Sequence, residues 1–126
     1  METAAAVTLA LVAGIGIGAV GIGALHAQSK PPVFMIAEVE VRDADGYAKE
    51  YLPLAEQTLK EHGGRYIAAG KPTAVDGEPP KRAVIVQWES MEKLLGWRHS
   101  PAYEKARAIG EKYATYRDFA LQGVAR

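Results

Sequence analysis

Residues 65–88 read RYIAAGKPTAVDGEPPKRAVIVQW, and the fold turns on how this stretch is divided. Two runs rich in β-branched and aromatic residues, RYIAAGKPTAV and RAVIVQW, flank the segment DGEPPK. Asp76 and Gly77 supply turn chemistry, while Pro79 and Pro80 cannot donate to a sheet ladder. The stretch therefore predicts two antiparallel strands joined as a long hairpin. Gly63 and Gly64 stand just before it as helix terminators, and Ser90 stands just after it as a helix N-cap. The hairpin lies between two helices.

Upstream, VFMIAEVEVRD (33–43) reads as a strand whose later half alternates Glu38 and Glu40 against Ala37, Val39 and Val41. Asp43 or Asp45 can cap a helix running to about His62, with Ala48, Leu52, Ala55 and Leu59 on one apolar face. Pro53 lies inside it and should cost a backbone bond to Lys49 and kink it. Downstream, MEKLLGW starts after Ser90. SPAYEKARAIGEKY then restarts the helix, with Ser100 as N-cap, Pro101 at the first helical position and Ala102, Ala106, Ile109 and Tyr113 as its buried side. YRDFALQGV, alternating Arg117, Phe119 and Leu121 against Asp118, Ala120 and Gln122, reads as a last strand.

The order β-α-β-β-α-β is the split βαβ, ferredoxin-like plan of the α+β class: a four-stranded antiparallel sheet with two helices on one face. Its other face is bare. Strands carrying Met35, Val39, Ile67, Ile85 and Phe119 would expose an apolar patch of several hundred Å² unless a partner covered it. A domain this small also buries only about 65% of its unfolded surface alone. The expectation is a homodimer through the sheet face, with the domain spanning 33–126.

From Thr3 to Leu25 no residue is charged, and polar groups with Pro31 and Pro32 follow. Residues 1–27 read as a signal peptide ending at Ala27, with 28–32 as a linker, and hence as an exported, periplasmic or secreted protein. The charge-poor n-region and the length of the apolar run leave an uncleaved membrane anchor as the alternative. Within the run, Gly16, Gly18 and Gly21 have the G-x-G-x-x-G spacing of a dinucleotide-binding turn. Pro31 and Pro32 would stop the following helix about ten residues on, and that helix would lack a polar face. The pattern does not support a nucleotide site.

Fifteen basic and fifteen acidic residues are interleaved, so no basic stripe offers itself to nucleic acid. The absence of cysteine excludes disulfides and thiolate chemistry. His62 and His99 lie at different helix ends and no H-x-H or H-E-x-x-H spacing occurs, so no metal or other cofactor is expected. Ser90 and Ser100 stand at helix starts without the context of a nucleophile.

The segments AEVEVRDADGYAKEYLPLAEQTLKEHGGRYIAAG, PPKRAVIVQWESMEKLLGW and SPAYEKA together resemble the domain-of-unknown-function 1330 family, within the dimeric α/β-barrel superfamily, from Val33 to Val124. The resemblance implies a ferredoxin-like protomer whose sheet packs against that of a second protomer. The superfamily includes small monooxygenases and isomerases of cyclic organic compounds. The chain departs from the family's usual pattern at Gly110, in place of Arg, and at Gln122, in place of Glu.

Aromatic and polar side chains gather in the second half: Tyr66, Trp88, Trp97, His99, Ser100, Tyr103 and Arg107. A cofactor-independent oxygenase or isomerase would need a cleft between sheet and helices with aromatic walls, for which Tyr66, Trp88 and Trp97 are the candidates, to hold a small organic molecule. His99 could take an acidic proton, with Tyr103 and Arg107 beside it as catalytic groups. The competing reading is a non-catalytic ligand-binding or structural dimer, in which Ser100 is a helix cap and His99 a solvent-exposed link. A cavity of several hundred Å³ separates the two.

Overall fold

The computed structural model describes residues 30–125; the segment 1–27 and the start of the linker lie outside the described residues. Strands β1 (Val33–Val41), β2 (Arg65–Gly70), β3 (Ala83–Trp88) and β4 (Ala114–Gln122) form one antiparallel sheet in the order β2-β3-β1-β4. This is the β-α-β-β-α-β arrangement expected. β2 ends at Gly70, where φ is 145°, rather than continuing to Val75, which is 92% exposed in the long connection. Among the described residues no helix is long and apolar enough to cross a membrane.

The first helical segment has three parts: α1 (Ala44–Gly46), a π-helical turn (Tyr47–Tyr51) and α2 (Leu52–Glu61). Asp43 is its cap, accepting from the Gly46 N–H at 3.1 Å. The Leu52 N–H donates to the Tyr47 carbonyl, five residues back. This widened turn absorbs Pro53, which then falls in the first turn of α2, where a missing N–H breaks no helical bond. The buried side is Tyr47, Tyr51, Ala55, Thr58 and Leu59, whereas Ala48 is exposed. The Tyr47 and Tyr51 rings stack at 5.2 Å. At the far end Gly63 (φ 89°) reverses the chain, with Gly63 N–H to Lys60 O and Gly64 N–H to Leu59 O.

The second helical segment is two-part as expected, α3 (Met91–Arg98) and α4 (Pro101–Gly110), with Ser90 and Ser100 as N-caps. Its buried side in α4 is Tyr103, Ala106 and Gly110, with Ala102 exposed. The face differs from the expected one because Tyr103 meets Trp97 and Tyr51 from the other elements, and these larger contacts set the helix rotation.

Strand alternation divides the sheet. Val33, Met35, Val39, Val84, Val86 and Trp88 face the helices and form the core with their buried sides. Met35 and Val39, expected above on the bare face, belong instead to the covered one. The outward face carries Phe34, Ile36, Ile85, Phe119 and Leu121; Ile36 lies opposite Ile85 on one side and Phe119 on the other. Phe119 is 42% exposed and Leu121 59%.

Candidate functional site

A cavity of about 150 Å³ opens between the inner sheet face and the helices. It exists because small side chains meet there: Ala37 and Ala69 from β1 and β2, and Ala55 from α2. Larger aliphatic groups at these positions would occupy the same space. Tyr47, Tyr51, Tyr66, Trp97, Tyr103 and Tyr116 supply aromatic wall, and Glu56, Arg82 and Asp118 are its charged lining.

The polar groups of this wall are ordered by specific partners. The Tyr51 and Tyr103 hydroxyls share a buried hydrogen bond of 2.6 Å. Trp97 Nε1 donates to Thr58 Oγ1 at 3.1 Å, and that hydroxyl donates to the Ala55 carbonyl at 3.0 Å, which accounts for a threonine in the core. Ser100 Oγ accepts from the Tyr103 N–H and donates to the Trp97 carbonyl at 2.7 Å, so the cap also fixes both aromatic residues. Arg107 Nη1 binds Asp118 Oδ2 at 3.1 Å, its Nε reaches Glu111 at 3.3 Å, and its guanidinium stacks 4.0 Å above the Tyr116 ring.

Burial, reinforced by the neighbouring Tyr103, drives the Tyr51 phenol far above its ordinary value. Burial likewise raises Tyr47 and Tyr116, and pushes Tyr66 up to about 12. All four remain protonated at neutral pH. They can donate hydrogen bonds to a ligand oxygen but cannot act as bases. Among the cavity-lining residues, Glu56 and Asp118 are the groups able to accept a proton.

The structure brings together four of the six residues expected from sequence. Tyr66, Trp97 and Tyr103 line the cavity, and Arg107 stands behind it through Asp118 and Tyr116. Two expectations need correction. Trp88 is 1% exposed and packs against Trp97 at 5.2 Å beneath Gly64, where an added Cβ would strike its ring; it is core, not cavity wall. The His99 side chain is 70% exposed at the C-cap of α3 and faces Glu104 at 3.9 Å. The Ser100–Pro101 restart directs it outward, away from the cavity lining. The cavity itself is smaller than the several hundred Å³ anticipated.

Tyr47, Tyr51, Arg82 and Asp118 complete the site, and each carried a local signal. Tyr47 and Tyr51 precede Ala55 at four-residue spacing. Arg82, Val84, Val86 and Trp88 alternate along one strand, and Tyr116, Asp118 and Ala120 along another.

Residues 32–124 match the family model described as "Domain of unknown function (DUF1330)". No functionally curated protein matches the sequence. Among solved structures, a protein of unknown function from Rhodopseudomonas palustris is similar at 17% identity and TM-score 0.64, covering 84% of this chain and 94% of that one. SnoaB, a cofactor-independent oxygenase from Streptomyces nogalater, is similar at 9% identity and TM-score 0.57, covering 76% of this chain and 96% of that one. These likenesses are of fold.

Proposed function

We propose that this chain, which belongs to the DUF1330 family over residues 32–124, binds a small organic molecule of about single-ring size between its sheet and helices and acts on it without a cofactor, in oxygenase- or isomerase-type chemistry. The observation that carries this reading is the cavity: apolar and aromatic wall interrupted by phenol donors that stay protonated and by carboxylates that can accept a proton. Its volume is close to the roughly 150 Å³ that holds one benzene-sized ring. The fold likeness to an oxygenase that needs no cofactor supports the reaction class.

In this reading a proton leaves an acidic carbon of the substrate for a wall carboxylate, Asp118 or Glu56. The electron pair moves onto a substrate oxygen held by tyrosine O–H donors, which stabilise the developing oxyanion. Return of the proton at another carbon completes an isomerisation; addition of the carbanion to dioxygen instead forms a C–O bond, and the peroxide takes back the proton and loses water to leave a carbonyl. Tyr103 is one of the donors, Tyr66 and Trp97 hold the ring, and Arg107 positions Asp118.

Two observations favour a non-catalytic ligand-binding dimer instead: the cavity, at about 150 Å³, falls short of the several hundred Å³ that separates the two readings, and its carboxylates are engaged or exposed. Asp118 is already tied to Arg107 and Glu56 is exposed, so neither is a free base deep in the cavity. Incubation with enolisable cyclic ketones and phenols in heavy water, monitored by mass spectrometry and oxygen uptake, tests the point. Protein-dependent deuterium incorporation or oxygen consumption supports the enzyme; binding without either leaves a carrier.

The same proposal includes a homodimer through the outward sheet face, supported by the Phe34, Ile36, Ile85, Phe119 and Leu121 surface. It also includes export directed by residues 1–27, with a tether as the alternative. Native mass spectrometry of the protein from its own cell envelope reads the mature mass, the dimer and any adduct together.

A further inference from the structure

We infer that the ligand of this cavity is an organic anion whose charged oxygens dock on the guanidinium of Arg82. The inference rests on the cavity being a ligand site, and goes beyond it by assigning the ligand's charge and the residue that reads it.

Arg82 lies one residue before β3, on the face shared with Val84, Val86 and Trp88, and its carbonyl accepts from the Val39 N–H at 2.9 Å. Alternation therefore turns its side chain inward, onto an otherwise apolar strand face, and it lines the cavity. Its Nε is buried with no hydrogen-bond partner. Among the described residues, the ion pairs engage Lys81, Lys93, Arg98, His99, Arg107 and Arg117, and none engages Arg82. Its guanidinium meets phenols instead of a carboxylate, hydrogen-bonding Tyr47 and acting through its charge on Tyr66, while its Nε stays open.

Arg107 provides the internal contrast, since it is matched by Asp118, Glu111 and the Tyr116 ring. Of the carboxylates lining the cavity, Asp118 is thus neutralised, and Glu56 is exposed. The remaining charge of the site is the Arg82 cation. Directly across the sheet, Tyr116 pairs with Val39 on the strand flanking β1 from the other side, and it lines the same cavity with its hydroxyl buried beside Tyr51. A buried open donor such as Arg82 Nε is completed by a ligand or by water. A guanidinium presents paired N–H groups that fit a carboxylate or a delocalised enolate or phenolate oxygen system. The substrate class is accordingly a small, single-ring or equally short organic acid.

The test compares benzoate with its neutral isostere benzamide by calorimetry on the full-length protein. The expected result is benzoate binding at least about tenfold tighter, in keeping with one charge-assisted docking contact. Arg82→Gln should weaken benzoate far more than benzamide and so abolish that preference, and Arg82→Lys should restore part of it. Equal affinity of the wild-type protein for the two compounds overturns the anion assignment and leaves the cavity reading standing. Binding of neither overturns both. Should Arg82→Gln not fold, the wild-type comparison alone decides.

Discussion

The hydroxyls of Tyr51 and Tyr103 meet at 2.6 Å inside the protein, joining the π-helical turn of the first helical segment to the second half of the other. The two residues are 52 positions apart, and the contact ties the two helical segments together alongside the Trp97–Thr58 bond. Tyr51→Phe or Tyr103→Phe leaves the surviving hydroxyl buried without its partner, at a cost of about 1–3 kcal/mol each. The double variant should cost less than the sum of the singles, by about 1 kcal/mol. Urea unfolding of the four proteins checks this; strict additivity would mean the hydroxyls do not interact.

Gly110 and Gly96 should respond oppositely to alanine. A Cβ at Gly110 would overlap the Tyr116 hydroxyl and the Tyr51 ring, whereas one at Gly96 meets nothing within 4 Å on an exposed helix surface. Gly96→Ala is expected to stabilise by about 0.5–1 kcal/mol through helix propensity. Gly110→Ala should destabilise by about 1–3 kcal/mol from overpacking, and Tyr116→Phe should relieve part of that. Thermal melts read both, and a stabilising Gly110→Ala would contradict the close approach.

The outward sheet face offers a direct test of assembly. Ile36 lies between Ile85 and Phe119 in register, at the centre of the apolar surface. Ile36→Glu places a charge where a partner sheet would cover it and should yield monomer at micromolar concentration, while Ala48→Glu, on the exposed side of the helical segment, should leave the assembly unchanged. Sedimentation velocity distinguishes the two. A wild-type monomer would remove the dimer from the proposal.

Alkaline pH should unfold the protein through its tyrosines. Tyr47, Tyr51, Tyr66 and Tyr116 hold their protons more tightly folded than unfolded, where a phenol titrates near 10.0. The stabilisation from this difference is complete below pH 10 and is lost as pH rises toward 12, the Tyr66 value, and past it. Tyrosinate absorbance of the buried set should therefore appear together with loss of near-ultraviolet circular dichroism. Smooth titration near pH 10 with the dichroism intact would show these phenols to be accessible.

Element order was legible from local chemistry. Asp43, Ser90, Ser100 and the Gly63–Gly64 pair act within a turn of their own helices, so their roles require no knowledge of the rest of the chain. Alternation in 33–41 and 83–88 reported the strands for the same reason. Ala48 and Ala102 are exposed although periodicity puts them on the apolar face, because a helix rotates to bury its largest rings, here Tyr47, Tyr51 and Tyr103. His99 turns outward toward Glu104, a direction that depends on the geometry of the helix junction and is not carried by local sequence.

Local chemistry along the chain specifies the succession of strands and helices, their caps and an apolar sheet surface. Which side chains share a cavity was decided only in three dimensions. Ala37, Ala55 and Ala69 come from three different elements, and the space they leave is a difference between facing surfaces that no single segment contains. Likewise Arg107 meets a carboxylate and Arg82 only phenols, because antiparallel pairing carries Asp118 and Tyr116 to one side of β1 and Arg82 to the other, a relation set by sheet order and invisible in sequence spacing.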